Sequence, residues 1–229
     1  MQDWRRYAVF AVPAGRFYET GSAWLGWDSV AGATRAQPAL PDLPVPAADL
    51  TARARRYGFH GTLKPPFRLA NGEDLPALKA AIAEIAAEAG PVEVSGLRLT
   101  AMGRFLAFAP ALPDAALSTL GAHVVTGLEP FRAPLTASEM EKRRAARLSP
   151  RQAALLAQYG YPYVLEQFRF HLTLTGPVPH AARGAVAECL SRHFAPSLPH
   201  PYRIVDLALM GQDATGRFRL LNRCPLGGR

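Results

Sequence analysis

Cysteine is almost missing from this chain: Cys189 and Cys224 are the only two in 229 residues. Two thiols do not make a disulfide framework of the kind that staples small secreted domains, so the reducing cytoplasm is the expected compartment. No run of about 18 apolar residues occurs, and no membrane span is expected. The opening "MQDWRRYAVFAVPAGRFY" does not have the form of a secretory signal, because its apolar run is short and aromatic and reads better as a first strand. Carboxylates are also scarce, with 18 Asp and Glu against 26 Lys and Arg, a net charge of +8. That excess favours anionic ligands, from a small phosphate ester to RNA, although an Arg- and Ala-rich composition produces the same balance without any ligand. Only 19% of residues are charged and 49% are hydrophobic, which excludes a disordered chain and is enough for a sizeable core.

The segments that are present alternate between strand and helix. "YAVFAVP" is a β-rich run ending at Pro13, and "GSAWLGWD" is a short helix. Four prolines between Ala36 and Pro46 make that stretch an extended loop. "AADLTARARRYG" is a helix closing at Gly58. Leu75, Leu78, Ile82 and Ile85 recur at helical spacing until Gly90-Pro91 stops them. "VEVSGLRLTAM" is a strand in which Gly96 marks a bulge, and "GRFLAFAP" is its antiparallel partner. "PDAALSTLGAHVVTGLEP" is a further helix. Two polar helices follow between about 136 and 160, the first capped by Thr136 or Ser138 and the second by Ser149-Pro150. A helix from about Ala181 to Phe194 and two strands, "YRIVDLALMG" and "GRFRLLNRC", complete the chain. The order strand–helix–strand–strand–helix occurs loosely twice, which points to an α+β fold with mostly antiparallel sheets.

One sequence is written twice. Phe59-His60-Gly61-Thr62-Leu63 and Phe170-His171-Leu172-Thr173-Leu174 lie more than a hundred residues apart. A strand alternates faces, so His60, Thr62 and Lys64 are expected on one face and Phe59, Gly61 and Leu63 on the other. In the second copy His171, Thr173 and Thr175 oppose Phe170, Leu172 and Leu174. Two imidazoles facing one cleft suit phosphoryl transfer without metal. A neutral histidine takes a proton from the attacking oxygen, and a protonated one returns a proton to the leaving oxygen. Threonine hydroxyls two residues further on donate to the non-bridging oxygens. Zinc is the rival use of histidine, but no third ligand in a metal spacing accompanies the pair, and His123, His180, His193 and His200 lie in helices or near turns.

These paired strands resemble the two-histidine (2H) phosphoesterase superfamily, which includes RNA ligase-like and cyclic phosphodiesterase proteins. Within it, "YAVFAVP", "SAWLGWD", "YGFHGTLKPPFRL" and "LSPRQAALLAQYGYPYVLEQFRFHLTLTGPV" are similar to a bacterial family of unassigned function encoded in phosphonate-utilisation (carbon–phosphorus lyase) operons. The resemblance implies a single bilobal domain over 1–229 with a pseudo-twofold axis. It implies two mostly antiparallel sheets flanked by helices, and one His-x-Thr strand per lobe. It implies catalytic His60 and His171 and phosphate-binding Thr62 and Thr173; these four side chains suffice chemically, so no cofactor is expected. The helical segment at about 136–160 is extra relative to compact members.

Other residues are weighed from the sequence itself. Lys64 is expected to reach a second anionic group of the substrate from the His60 face, and Arg169 from the His171 face. Tyr161 and Tyr163 are candidates for stacking on a base or sugar, or for packing between lobes. "EKRRAAR", with Arg143 and Arg144, reads as a solvated helix face. The leading expectation is a metal-independent cyclic phosphodiesterase acting on a small sugar or nucleotide cyclic phosphate. RNA-end processing and a non-catalytic nucleotide- or RNA-binding module are the alternatives. Nothing in the sequence calls for an obligate protein partner.

Overall fold

The structure is a computed structural model and describes residues 4–144 and 147–227. In chain order the strands are β1 (Arg6–Ala11), β2 (Trp27–Asp28), β3 (Ala33–Thr34), β4 (Gly61–Phe67), β5 (Val92–Val94), β6 (Leu97–Met102), β7 (Phe105–Pro110), β8 (Leu172–Thr173), β9 (Tyr202–Ile204), β10 (Asp206–Gln212) and β11 (Phe218–Pro225). The helices are α1 (Gly15–Leu25), α2 (Ala47–Thr51), α3 (Leu75–Glu88), α4 (Ala115–Gly127), α5 (Ala137–Arg144), α6 (Pro150–Tyr159) and α7 (Arg183–Phe194).

The fold is α+β and every strand pairing is antiparallel. Seven strands form a sheet in the order β11-β10-β1-β4-β8-β7-β6. It has two halves, β11-β10-β1-β4 and β8-β7-β6, joined where the motif strands meet. That junction is a single register pair, Gly61 opposite Leu172. The middle residues of the two motifs therefore face each other. Ala11 beside Gly61 on β1 corresponds to Phe108 beside Leu172 on β7, so a pseudo-twofold axis passes through the Gly61–Leu172 pair. The two sheets expected from the resemblance are thus two halves that meet edge to edge, with β2-β3 and β5-β9 as small separate ribbons.

The apolar side of the motifs builds the core. Phe59, Leu63, Phe170, Leu172 and Leu174 are buried. On that side Phe17 of α1 packs edge-on against Phe59, Phe108 and Phe194. The buried Trp24 indole donates to the Leu174 carbonyl at 2.8 Å, tying α1 to the second motif without leaving a polar group unpaired. α3 packs on β10 and β11, and α4 on β4. Asp74 and Asp114 cap α3 and α4 by accepting from the backbone of Ala77 and Leu117.

Several readings of the sequence change; "GSAWLGWD" is the end of the longer α1 followed by β2. Gly96 does not mark a bulge in one strand; it lies at the break between β5, which pairs with β9, and β6, which pairs with β7. "YRIVDLALMG" divides in the same way at Val205, with β9 leaving for the small ribbon and β10 remaining in the main sheet. Residues 47–58 form α2 and a 3₁₀ turn, Ala54–Arg56, that ends at Gly58 with φ +79°. The two polar helices are present as α5 and α6. Thr136 caps α5, accepting from the Glu139 backbone while the Glu139 carboxylate accepts from Thr136. Ser149 and Gln152 exchange the same pair of bonds at the start of α6. In "EKRRAAR", the side chains of residues 142–144 and the whole of 145–146 lie outside the described part.

Candidate active site

Extending the Gly61–Leu172 register by one residue sets His60 opposite Thr173, and Thr62 opposite His171. All four share the face opposite the core side chains. The two histidines are diagonal neighbours across the pair, which places their backbones about 7–8 Å apart. Each histidine has a threonine opposite it on the other strand and a second one two residues along its own strand. All four residues are half-buried.

Each imidazole is held the same way. His60 Nδ1 lies 2.9 Å from the Gly58 carbonyl, and His171 Nδ1 lies 2.7 Å from the Arg169 carbonyl. A carbonyl oxygen only accepts, so both Nδ1 atoms carry the proton and both Nε2 atoms are the working nitrogens. The Thr62 hydroxyl donates to His60 Nε2 at 3.0 Å.

The surroundings differ. His60 stacks on the buried Phe10 ring at 3.6 Å, with Tyr57 on its flank at 6.1 Å and Phe218 stacked on Tyr57 at 5.2 Å. This aromatic wall strips water from the ring, and burial pulls the His60 pKa down to about 4. The Gly58 carbonyl acts against that shift, and positive charge on His171 reinforces it. On the other half, the position matching Phe10 is Ala107, opposite Thr173. His171 meets only a tilted Phe105 ring, at 5.7 Å. Burial lowers its pKa as well. Phe10, Tyr57 and Phe105 were not selected from the sequence; the aromatic just before each motif was visible there, but not which ring would lie on which histidine.

Lys64 is not on this face. Thr62 pairs with Phe10 but Lys64 pairs with Val9, so a bulge at Leu63 turns Lys64 to the opposite side. There its buried ammonium donates to the Val125 carbonyl at 2.9 Å and to Glu129 at 3.2 Å. Burial lowers its pKa to about 8, against the pull of Glu129. The expectation that Lys64 reaches a substrate anion is therefore replaced by a structural ion pair. Thr175 also leaves the motif face: it is buried, accepts from the Leu106 backbone and donates to the Gly176 carbonyl. Tyr161 packs with Val125, Leu155 and Val164, and Tyr163 sits edge-on to it at 5.7 Å, partly exposed. The hollow beside Lys64, walled by Pro66, Arg132 and Tyr161, has a volume of about 20 Å³, the size of about one water. Arg169 is exposed next to His171. Among the described residues, no group of three or more His, Cys, Asp or Glu is arranged to hold a metal, and no helix is long and apolar enough to cross a membrane.

A mixed fold of antiparallel strands with one His-x-Thr strand from each half at its centre is the arrangement that the two-histidine resemblance implies. The chain belongs to the family described as "Protein of unknown function (DUF1045)", whose model matches residues 62–219. It is 34% identical over 232 residues to the ribose 1,5-bisphosphate phosphokinase PhnN of Janthinobacterium sp. (strain Marseille), covering 98% of this chain and 51% of that protein. It is 33% identical to the PhnN of Laribacter hongkongensis (strain HLHK9), covering 94% of this chain and 50% of that one. The chain thus spans about half the length of the curated relatives it matches. Among solved structures, E. coli LigT complexed with 3'-AMP is similar with a TM-score of 0.45 and 13% identity, over 98% of this chain and 99% of that one.

Proposed function

We propose that this chain is a metal-independent phosphodiesterase of the two-histidine type that opens a cyclic phosphate on a small phosphorylated sugar or nucleotide. The observation that carries the reading is the Gly61–Leu172 pair, which brings His60, Thr62, His171 and Thr173 onto one face. Neutral His60 takes a proton from water on Nε2 as the water oxygen bonds to phosphorus. His171 Nε2–H gives its proton to the ester oxygen as the phosphorus–oxygen bond breaks. As water takes its place on His60 Nε2, the Thr62 hydroxyl turns to the phosphate, and Thr62 and Thr173 donate to the non-bridging oxygens as charge builds on them. The lower pKa of His60 favours it as the base. A binding module would not need two working Nε2 atoms held in matching tautomers.

A pentose phosphate is the favoured substrate. The matched relatives are named for action on ribose 1,5-bisphosphate, and this chain corresponds to about half of each. The chain contains no G-x-x-x-x-G-K-[ST] nucleotide cradle, so the phosphoryl transfer in that name is not carried over to it. A separate reaction on a related sugar phosphate, as expected from the phosphonate-operon resemblance, accounts for both. The test is a panel of cyclic phosphates incubated in excess EDTA and read by phosphorus NMR. Conversion of a sugar cyclic phosphate to a monoester is expected. No conversion of any cyclic phosphate by folded protein, or loss of turnover in EDTA, would sink the proposal.

A further inference from the structure

The motif face carries charge unevenly. One cross-strand row runs through Arg223, Ala208, Phe10, Thr62, His171, Ala109 and Arg98, from one edge of the sheet to the other. The arginine at the β11 end is spent. Arg223 contacts both oxygens of Asp206 at 2.8 Å and the Val12 carbonyl at 3.2 Å. The arginine at the β6 end is not. Arg98 is exposed and makes no ion pair or side-chain hydrogen bond among the described residues. Its neighbours Leu97 and Leu99 pack into the core, which sends Arg98 to the motif face.

Arg169 stands on the same side of His171. Phe168 and Phe170 pack together inward, so alternation turns Arg169 outward with His171. Its guanidinium is also exposed and unpaired among the described residues. On β7 the residue between Arg98 and His171 is Ala109, whose short side chain carries no charge to compete for the guanidinium. His171 is one strand from Ala109, and Arg98 the next strand out, so the backbones of His171 and Arg98 are roughly 10 Å apart. A guanidinium reaching inward from that distance meets a group one sugar ring away from the reacting phosphorus.

We infer that Arg98 and Arg169 form a second anion site, beside His171, that takes a non-reacting phosphate of the substrate. This rests on the phosphodiesterase reading for its function but not for its detection. Two guanidiniums over a small-residue floor suit bidentate binding of a phosphate monoester. The site makes the preferred substrate a cyclic phosphate carrying a further phosphate, and the reaction that supplies it must leave that second group in place.

The test is calorimetry with adenosine 3',5'-bisphosphate and adenosine 3'-phosphate, which differ only in the second phosphate. The wild-type chain is expected to bind the bisphosphate at least about 10-fold more tightly, the size of one charge-assisted hydrogen bond. Arg98→Gln and Arg169→Gln should each remove most of that preference. Arg104→Gln removes one exposed arginine from the β6–β7 turn and should keep it. No preference in the wild type, or equal losses in Arg98→Gln and Arg104→Gln, overturns the site, because net charge alone then explains binding. Turnover is measured separately. A preference that depends on Arg98 in a protein that hydrolyses no cyclic phosphate would leave the anion site standing and remove the catalytic reading.

Discussion

Gly61 of β4 lies directly opposite Leu172 of β8, and the Phe170 ring closes over the glycine. The two motifs are therefore centred on each other, and the approach depends on a missing side chain. A Cβ at position 61 would fall inside the Phe170 ring. Gly61→Ala should force Phe170 or the strand aside and cost about 1–3 kcal/mol, the range for overpacking a filled core. Urea denaturation would give the loss, and turnover should fall with it because the strands carrying the histidines are spread. Unchanged stability and unchanged turnover would show that the junction is looser than the contacts imply.

Either histidine, replaced by alanine, should lower turnover by roughly 100-fold or more. The pH profile should be displaced to the acid side. His60 must be neutral to accept a proton, so activity falls as the pH drops through about 4. His171 must be protonated to donate one, and burial holds its pKa below the usual 6.5, so activity falls before neutrality is reached from the acid side. The kcat/KM profile should therefore be a bell with its maximum below pH 6.5. Bound phosphate favours the charged imidazoles, so the kcat profile should be shifted to higher pH than that of kcat/KM. A kcat/KM maximum well above pH 7 would contradict these environments.

Lys64 offers a contrast between removing a charge and removing its partner. Glu129→Ala leaves the buried ammonium with the Val125 carbonyl and the face of Phe67, also strips Arg132 of its carboxylate, and should cost about 3–5 kcal/mol. Lys64→Met removes the charge, fills much of the same space and should cost far less. Because the bulge turns Lys64 away from the imidazoles, Lys64→Met should leave KM for a cyclic phosphate within about two-fold of wild type, a free-energy change well under 1 kcal/mol. A ten-fold rise in KM with normal stability would return Lys64 to the binding site.

The same residue marks where the sequence was legible and where it was not. Period-2 alternation assigned the buried faces of Phe59, Gly61, Phe170 and Leu172 and the polar faces of the His-x-Thr pairs, because those segments are regular. It failed at Lys64 because a one-residue bulge at Leu63 reverses the side chain that follows, until a second shift before Phe67 restores the alternation, and nothing local marks a bulge at a leucine. It failed at Thr175 because β8 is only two residues long. The division of "VEVSGLRLTAM" and "YRIVDLALMG" between ribbons is a choice of distant partners, which local pattern does not encode. Phe10 under His60 depends on the register of β1 against β4, and Arg98 in the row of His171 on registers across three strands, so neither stood out among the other aromatics and arginines.

Salt dependence separates the small substrate from RNA. A chain that tracked an RNA backbone would neutralise several phosphates, and its affinity would fall with a log–log slope of about −0.7 for each one on a single strand. Two cations are already taken: Arg223 is neutralised by Asp206, and Lys64 is buried on the other side. Arg98 and Arg169 stand together beside His171, enough for one extra phosphate. Binding of adenosine 3',5'-bisphosphate, measured between 50 and 200 mM salt, should therefore show a slope no steeper than about −2, the value for two or three contacts. A single-stranded oligonucleotide should bind no more tightly and with no steeper slope, since the proposed site takes the reacting phosphate and one more. Tight oligonucleotide binding with a slope of about −4 or beyond, together with cleavage or joining of its ends, would instead assign the paired histidines to RNA.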